Sequence, residues 1–170
     1  MQADFRRSEI LKDLRSAGEP VSAGALSAKY GVSRQIIVGD VALLRASGEK
    51  ISATPRGYVI GESGEGLVRQ VACCHSGEQM EEELNAIVDQ GCAVLDVIVE
   101  HPIYGQITGV LDLRSRYDVS RFILKCREAD ARPLSELTEG IHLHSVSCPN
   151  EEAFERVCRE LGRLGVLLEK

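Results

Sequence analysis

The sequence predicts an α+β protein, a winged helix-turn-helix at the N-terminus joined to a two-layer α/β sandwich with a mainly antiparallel sheet. Three observations carry this. Residues 1–60 run helix, short helix, glycine turn, helix, then two short strands. Residues 67–170 run strand–helix–strand–strand–helix–strand, the order of helices covering one face of a sheet. The charge is split: residues 1–60 carry nine Lys/Arg against six Asp/Glu, and residues 61–170 carry eleven against twenty. A weakly basic front joined to an acidic back fits a nucleic-acid module attached to a part that must not bind phosphate.

With 170 residues and 44% hydrophobic composition, the chain can bury a core without staples. It has no apolar run near the roughly 18–20 residues a membrane span needs. The opening Met1-Gln2-Ala3-Asp4-Phe5-Arg6-Arg7 lacks the hydrophobic core of an export signal. Six cysteines, at 73, 74, 92, 126, 148 and 158, form no Cys-x-x-Cys pair, which points to reduced thiols in a cytoplasmic protein. Cys73, Cys92, Cys126 and Cys158 lie in apolar stretches and read as small core residues. A Gly-rich phosphate loop and a nucleophile motif are both absent, so an enzyme is not expected.

In the front part, Ile10, Leu11 and Leu14 are at helical spacing within residues 6–17, and Gly18 is a natural stop. A second helix follows Pro20, with Ala25, Leu26 and Ala28 expected inward and Gly31 as its left-handed terminator. Ser33 is a good N-cap for a third helix carrying Ile36, Ile37, Val41, Leu43 and Leu44 and closed by Gly48. Residues 50–53 and 58–60 can then pair across Thr54-Pro55-Arg56-Gly57 as a wing. The segment ALSAKYGVSRQIIVGDVALLRASG closely resembles the helix-turn-helix of bacterial repressors. That resemblance implies contact with operator DNA through Ser33, Arg34, Gln35 and Ile36, at the end of the helix that enters the major groove. Arg and Gln suit bidentate contacts to guanine and adenine. Arg56, at the wing tip, is placed for a phosphate or minor-groove contact. Gly39 departs from the family pattern, which usually has a basic residue there.

Residues 61–66, half glycine, have the composition of a flexible joint. The domain from 67 to 170 reads as strand 67–74, helix 78–90, strands 92–100 and 106–113, helix 117–129, strand 140–147, helix 151–163 and a short strand 165–168. All four histidines lie in this part. His142 and His144, two apart on a strand, present two imidazoles on one face. His75 closes the first strand, and either Glu81 or Glu83 on the following helix can face it; spacing alone does not choose. Three imidazoles and a carboxylate suit Zn²⁺, Ni²⁺ or Fe²⁺ better than Ca²⁺ or Mg²⁺. His101 and Tyr104 stand at the turn of Glu100-His101-Pro102-Ile103-Tyr104-Gly105, where turn residues on a rigid sheet commonly bind ligands.

The motifs CCH before a Glu-rich helix, VEHPIYGQITG and GIHLH together resemble the three-histidine (3H) domain of niacin-responsive transcriptional repressors. The resemblance spans nearly the whole chain. It implies a homodimeric repressor of NAD-biosynthesis or niacin-uptake genes, with nicotinic acid as co-repressor and a phosphocarrier-like back domain. It also implies a divalent metal, Ni or Zn, held by His75, Glu83, His142 and His144. A metal-sensing repressor, in which the ion itself is the signal, is the alternative reading.

Overall fold

In the computed structural model the chain divides into two compact units, residues 1–63 and 64–170. The structure describes residues 2–61 and 66–169, so most of the expected joint at 61–66 lies outside the described residues.

The first unit holds α1 (Ala3–Ser16), α2 (Ala23–Tyr30), α3 (Arg34–Ala46) and the hairpin β1 (Ile51–Thr54) with β2 (Gly57–Ile60). α3 is capped by Ser33, as expected, and α2 by Ser22: Ile36 N–H donates to the Ser33 hydroxyl and Ala25 N–H to that of Ser22. Gly31, at φ +63°, ends α2 in the left-handed region. Ile10, Leu14, Leu26, Ile37, Val41 and Leu44 form the core. Two expectations are corrected. Ala25 and Ala28 are exposed, because an eight-residue helix has room for one inward stripe and Ala23 with Leu26 fill it. Leu43 is exposed too, and so is Ile36, as an expected DNA contact has to be; both lie about a quarter-turn from the inward stripe Ile37, Asp40, Val41, Leu44. Asp40 belongs to that stripe because Arg6 meets it as a fork: Nε donates to Oδ2 at 2.6 Å and Nη2 to Oδ1 at 3.2 Å. This pair ties α1 to α3 and leaves no buried charge unmatched.

The second unit is a four-stranded sheet in the order β3-β6-β4-β5. Its strands are β3 (Leu67–Cys74), β4 (Ala93–His101), β5 (Gly105–Leu113) and β6 (Ile141–Cys148), and every neighbouring pair is antiparallel. The helices α4 (Met80–Val88), α5 (Arg116–Glu128) and α6 (Glu151–Arg163) share one core with Val71, Cys73, Val94, Leu111 and Val146 of the strands, so they cover one face. Val68, Val110 and Ile141 are exposed on the other face. The expected strand at 165–168 is reduced to one bridge, Leu167 to Cys73, at the free edge of β3. Two 3₁₀ turns, Gly77–Gln79 and Leu134–Thr138, were not legible as elements. No helix among the described residues is long and apolar enough to cross a membrane.

The β4–β6 ladder slips by one residue between Val94 and Ile98. Such a bulge turns backbone groups out of the ladder. Here it turns the Asp96 carbonyl onto the ring of His144, and the Asp96 carboxylate accepts the Ser145 N–H at 2.7 Å.

Candidate metal centre and DNA-binding helix

On β6, His142 and His144 point to the helix-covered face, as alternation requires. Antiparallel register sets Cys73 opposite His142 and Val71 opposite His144. One residue beyond β3, His75 is brought over the same face, and α4 delivers Glu83 into the middle. Glu83 is 1% exposed. Its Oε2 lies 2.6 Å from His75 Nε2, and its Oε1 lies 2.8 Å from His142 Nε2 and 3.3 Å from His144 Nε2. Glu81 instead turns outward, toward Arg127 at 3.7 Å.

Each ring is held from behind by a main-chain carbonyl. Nδ1 of His75 donates to Ser76 at 2.6 Å, that of His142 to Gly140 at 2.8 Å, and that of His144 to Asp96 at 2.6 Å. This assignment of the protons fixes one tautomer in all three rings and directs three Nε2 lone pairs at one carboxylate, the arrangement of metal-ligating histidines. His144 Nε2 is buried with no hydrogen-bond partner. Without an ion, the rings can hydrogen-bond Glu83 only by taking a second proton each. A divalent cation in their midst satisfies all four groups at once, so the donor set fits a transition metal.

Cys73 is a core residue by its apolar surroundings in the sequence, and it is fully buried. Yet its Sγ, a Glu83 oxygen and a His142 ring nitrogen lie within 4.8 Å of one another. The alternation Val71, Cys73, His75 could have flagged it, since odd positions of β3 share the histidine face. Burial first, then the Glu83 carboxylate, push its thiol well above the ordinary range.

Burial opposes the charge on Glu83, but the facing rings of His142, His144 and His75 outweigh it and hold the carboxyl far below its ordinary 4.5. Burial also opposes charge on His75 and His144, and Glu83 outweighs it, raising both above 6.5. The signs follow from linkage. The contribution of the raised histidines is complete below pH 6.5 and fades as pH climbs through their folded values. That of Glu83 is present above pH 4.5 and is lost only as pH falls through its lowered value. Ion-free protein should therefore draw most from this cluster between pH 4.5 and 6.5. Because metal displaces the ring protons, stabilisation by Zn²⁺ should grow with pH. Thermal melts at about pH 5.5 and about pH 8, with and without Zn²⁺, check this; a metal increment that shrinks at the higher pH would contradict it.

The centre opens on a cavity of about 250 Å³ with mostly apolar walls, among them Met80, Val97, Leu111, Phe122 and Leu134, and Arg132 also lines it. His101 and Tyr104 are not among the residues lining it. They form the β4–β5 turn, where His101 Nδ1 accepts the N–H groups of Ile103 at 3.2 Å and Tyr104 at 3.3 Å. The two rings stack at 5.0 Å, and Tyr104 stays 77% exposed.

In the first unit, Arg34, Gln35 and Ile36 are exposed at the N-terminal end of α3, as a reading helix needs. The Ser33 hydroxyl is engaged as the cap, and Arg56 on the hairpin turn pairs with Glu19 at 2.5 Å.

A winged helix-turn-helix with the outer face of its third helix exposed, carried on one chain with a second domain that holds a buried histidine–carboxylate cluster, defines a DNA-binding regulator. Residues 6–59 match the pattern of a helix-turn-helix domain and residues 68–170 that of the 3H domain. The chain is 44% identical over 165 residues to the "Probable transcription repressor NiaR" of Thermotoga maritima, covering 97% of this chain and 94% of that protein. It is 40% identical over 168 residues to the "Transcription repressor NadR" of Bacillus subtilis, covering 96% and 93%. The chain belongs to this family of helix-turn-helix, 3H-domain transcription repressors. Both relatives are named as transcription repressors and neither as an enzyme.

Proposed function

We propose that the protein acts in the cytoplasm as a homodimer that represses genes of NAD biosynthesis or niacin uptake, with nicotinic acid as co-repressor. The observation that carries this reading is the opening of the four-donor centre onto the apolar cavity. His75, Glu83, His142 and His144 would hold Ni²⁺ or Zn²⁺, which supplies a coordination position for a carboxylate or ring nitrogen. Apolar walls beside it suit an aromatic ring, and the cavity is below the roughly 300–1,000 Å³ of drug-sized sites. These features favour a one-ring acid, and they move the expected ligand contacts from His101 and Tyr104 to the cavity wall. Ser33, Arg34, Gln35 and Ile36, with Arg56 of the wing, serve the operator. A dimer sets two such helices roughly 34–36 Å apart on DNA. The exposed Val68, Val110 and Ile141 on the open sheet face offer a surface of the kind a second copy covers.

An operator shift assay tests the proposal. Metal-loaded protein should bind its own promoter more tightly with nicotinic acid than with nicotinamide or NAD. Full binding by metal alone, indifferent to all three compounds, would establish the metal-sensing alternative instead.

A further inference from the structure

The face of α3 that points away from the first unit's core is apolar where a reading helix is usually polar. The inward stripe is Ile37, Asp40, Val41 and Leu44. A helix of 3.6 residues per turn then sets Gln35, Gly39 and Ala42 on the opposite side, with Val38 at the edge of that face. Val38 is 39% exposed and has no part in the apolar core of this unit. At Gly39 no atom lies within 4 Å of where a Cβ would stand, and with no side chain of its own it lets the backbone come close to a partner. The basic residue in the helix's last turn is turned away from this face: Arg45 Nε donates to the Ile51 carbonyl at 2.7 Å, and its guanidinium covers the Tyr58 ring. Past its first turn, α3 therefore has only aliphatic carbon and bare backbone to offer a base pair.

In the major groove one base presents an apolar group, the C5-methyl of thymine. We infer that Val38 and Ala42 read thymine methyl groups in the operator, with Gln35, one turn earlier on the same face, paired to an adenine edge and Gly39 admitting the helix deeply. This rests on DNA binding by the winged helix and not on the identity of the effector. The occupant of this apolar face is thus duplex DNA with A·T pairs at the centre of each half-site.

The test uses the full-length, Zn²⁺-loaded protein. Binding sites are selected from random duplex DNA, with and without nicotinic acid, so that failure of that effector does not remove the probe. Each thymine of the selected half-site is then replaced by deoxyuridine, which deletes the methyl and nothing else. At one or two adjacent positions binding should weaken about fourfold, the worth of one buried methyl-sized group. Val38→Ala, with an unchanged thermal melt, should lose the thymine-over-uracil preference at one position, and Val38→Ile should keep it. Equal binding of every deoxyuridine site, or selected half-sites read only at G·C pairs, would overturn the inference.

Discussion

Joint replacement of His142 and His144 by alanine is expected to abolish retention of a transition-metal ion. The two rings supply half of the proposed donor set, and both reach it through the same strand face. What remains, His75 with Glu83, is a two-donor pair, fewer than the three or four protein ligands that zinc sites use. Metal content after exhaustive dialysis is the measurement; a full equivalent kept by the double variant would refute the site. Thermal stability gives a second readout. Parent protein at a metal concentration of about 100 times its Kd should gain roughly 2.7 kcal/mol, and the double variant should gain none.

Gly140→Ala should damage the centre almost as much, although no donor atom is touched. Gly140 sits at φ +94°, and a Cβ there would lie 2.6 Å from the carbonyl oxygen of His75. That neighbour is backbone, so one of the two chain segments has to move. The Gly140 carbonyl also anchors the ring of His142, and its N–H is bonded to Ser135 at 2.8 Å. A single added methyl group thus displaces two histidines. Loss of such supporting contacts costs about 10–100-fold in metal affinity, and the forced backbone adds roughly 1–3 kcal/mol of strain. Gly91→Ala is the control, because φ is +76° there but nothing stands within 4 Å. Competition with a chelator separates the two effects: equal metal affinity in both variants would show that the close approach to His75 does not matter.

The contrast between these variants marks what the sequence discloses. Period-two spacing brings His142 and His144 to one face, and the cap at Ser33 with the terminator at Gly31 marks the turn of the helix-turn-helix. Spacing along α4 leaves Glu81 and Glu83 open, because both flank the buried stripe; only the packing of α4 over β6 turns one inward. The carbonyls that orient the rings were hidden for a different reason. They depend on a strand slip at β4 and on a 3₁₀ turn whose exit needs Glu139 and Gly140 both at positive φ. Such features follow from pairing between distant segments and leave little mark on local composition. Cys73 shows the limit from the other side, since a buried cysteine in an apolar run carries the same signature whether it packs or meets an ion.

The order of the strands bears on how fast the protein comes apart. His75 and Glu83 are near neighbours in the chain, whereas His142 and His144 arrive some sixty residues later, and they meet only when β3, the first strand of the second unit, zips against β6, the last. Pairings of such long sequence separation are slow to reach and late to form. An ion that needs both strands finds no complete site in the unfolded chain or in a half-paired intermediate, so its binding energy is added only once the barrier is crossed. Such an ion leaves the refolding limb of a chevron where it was and depresses the unfolding limb. A bound ion would thus act as a clasp, prolonging the lifetime of the folded 3H domain without hastening its birth.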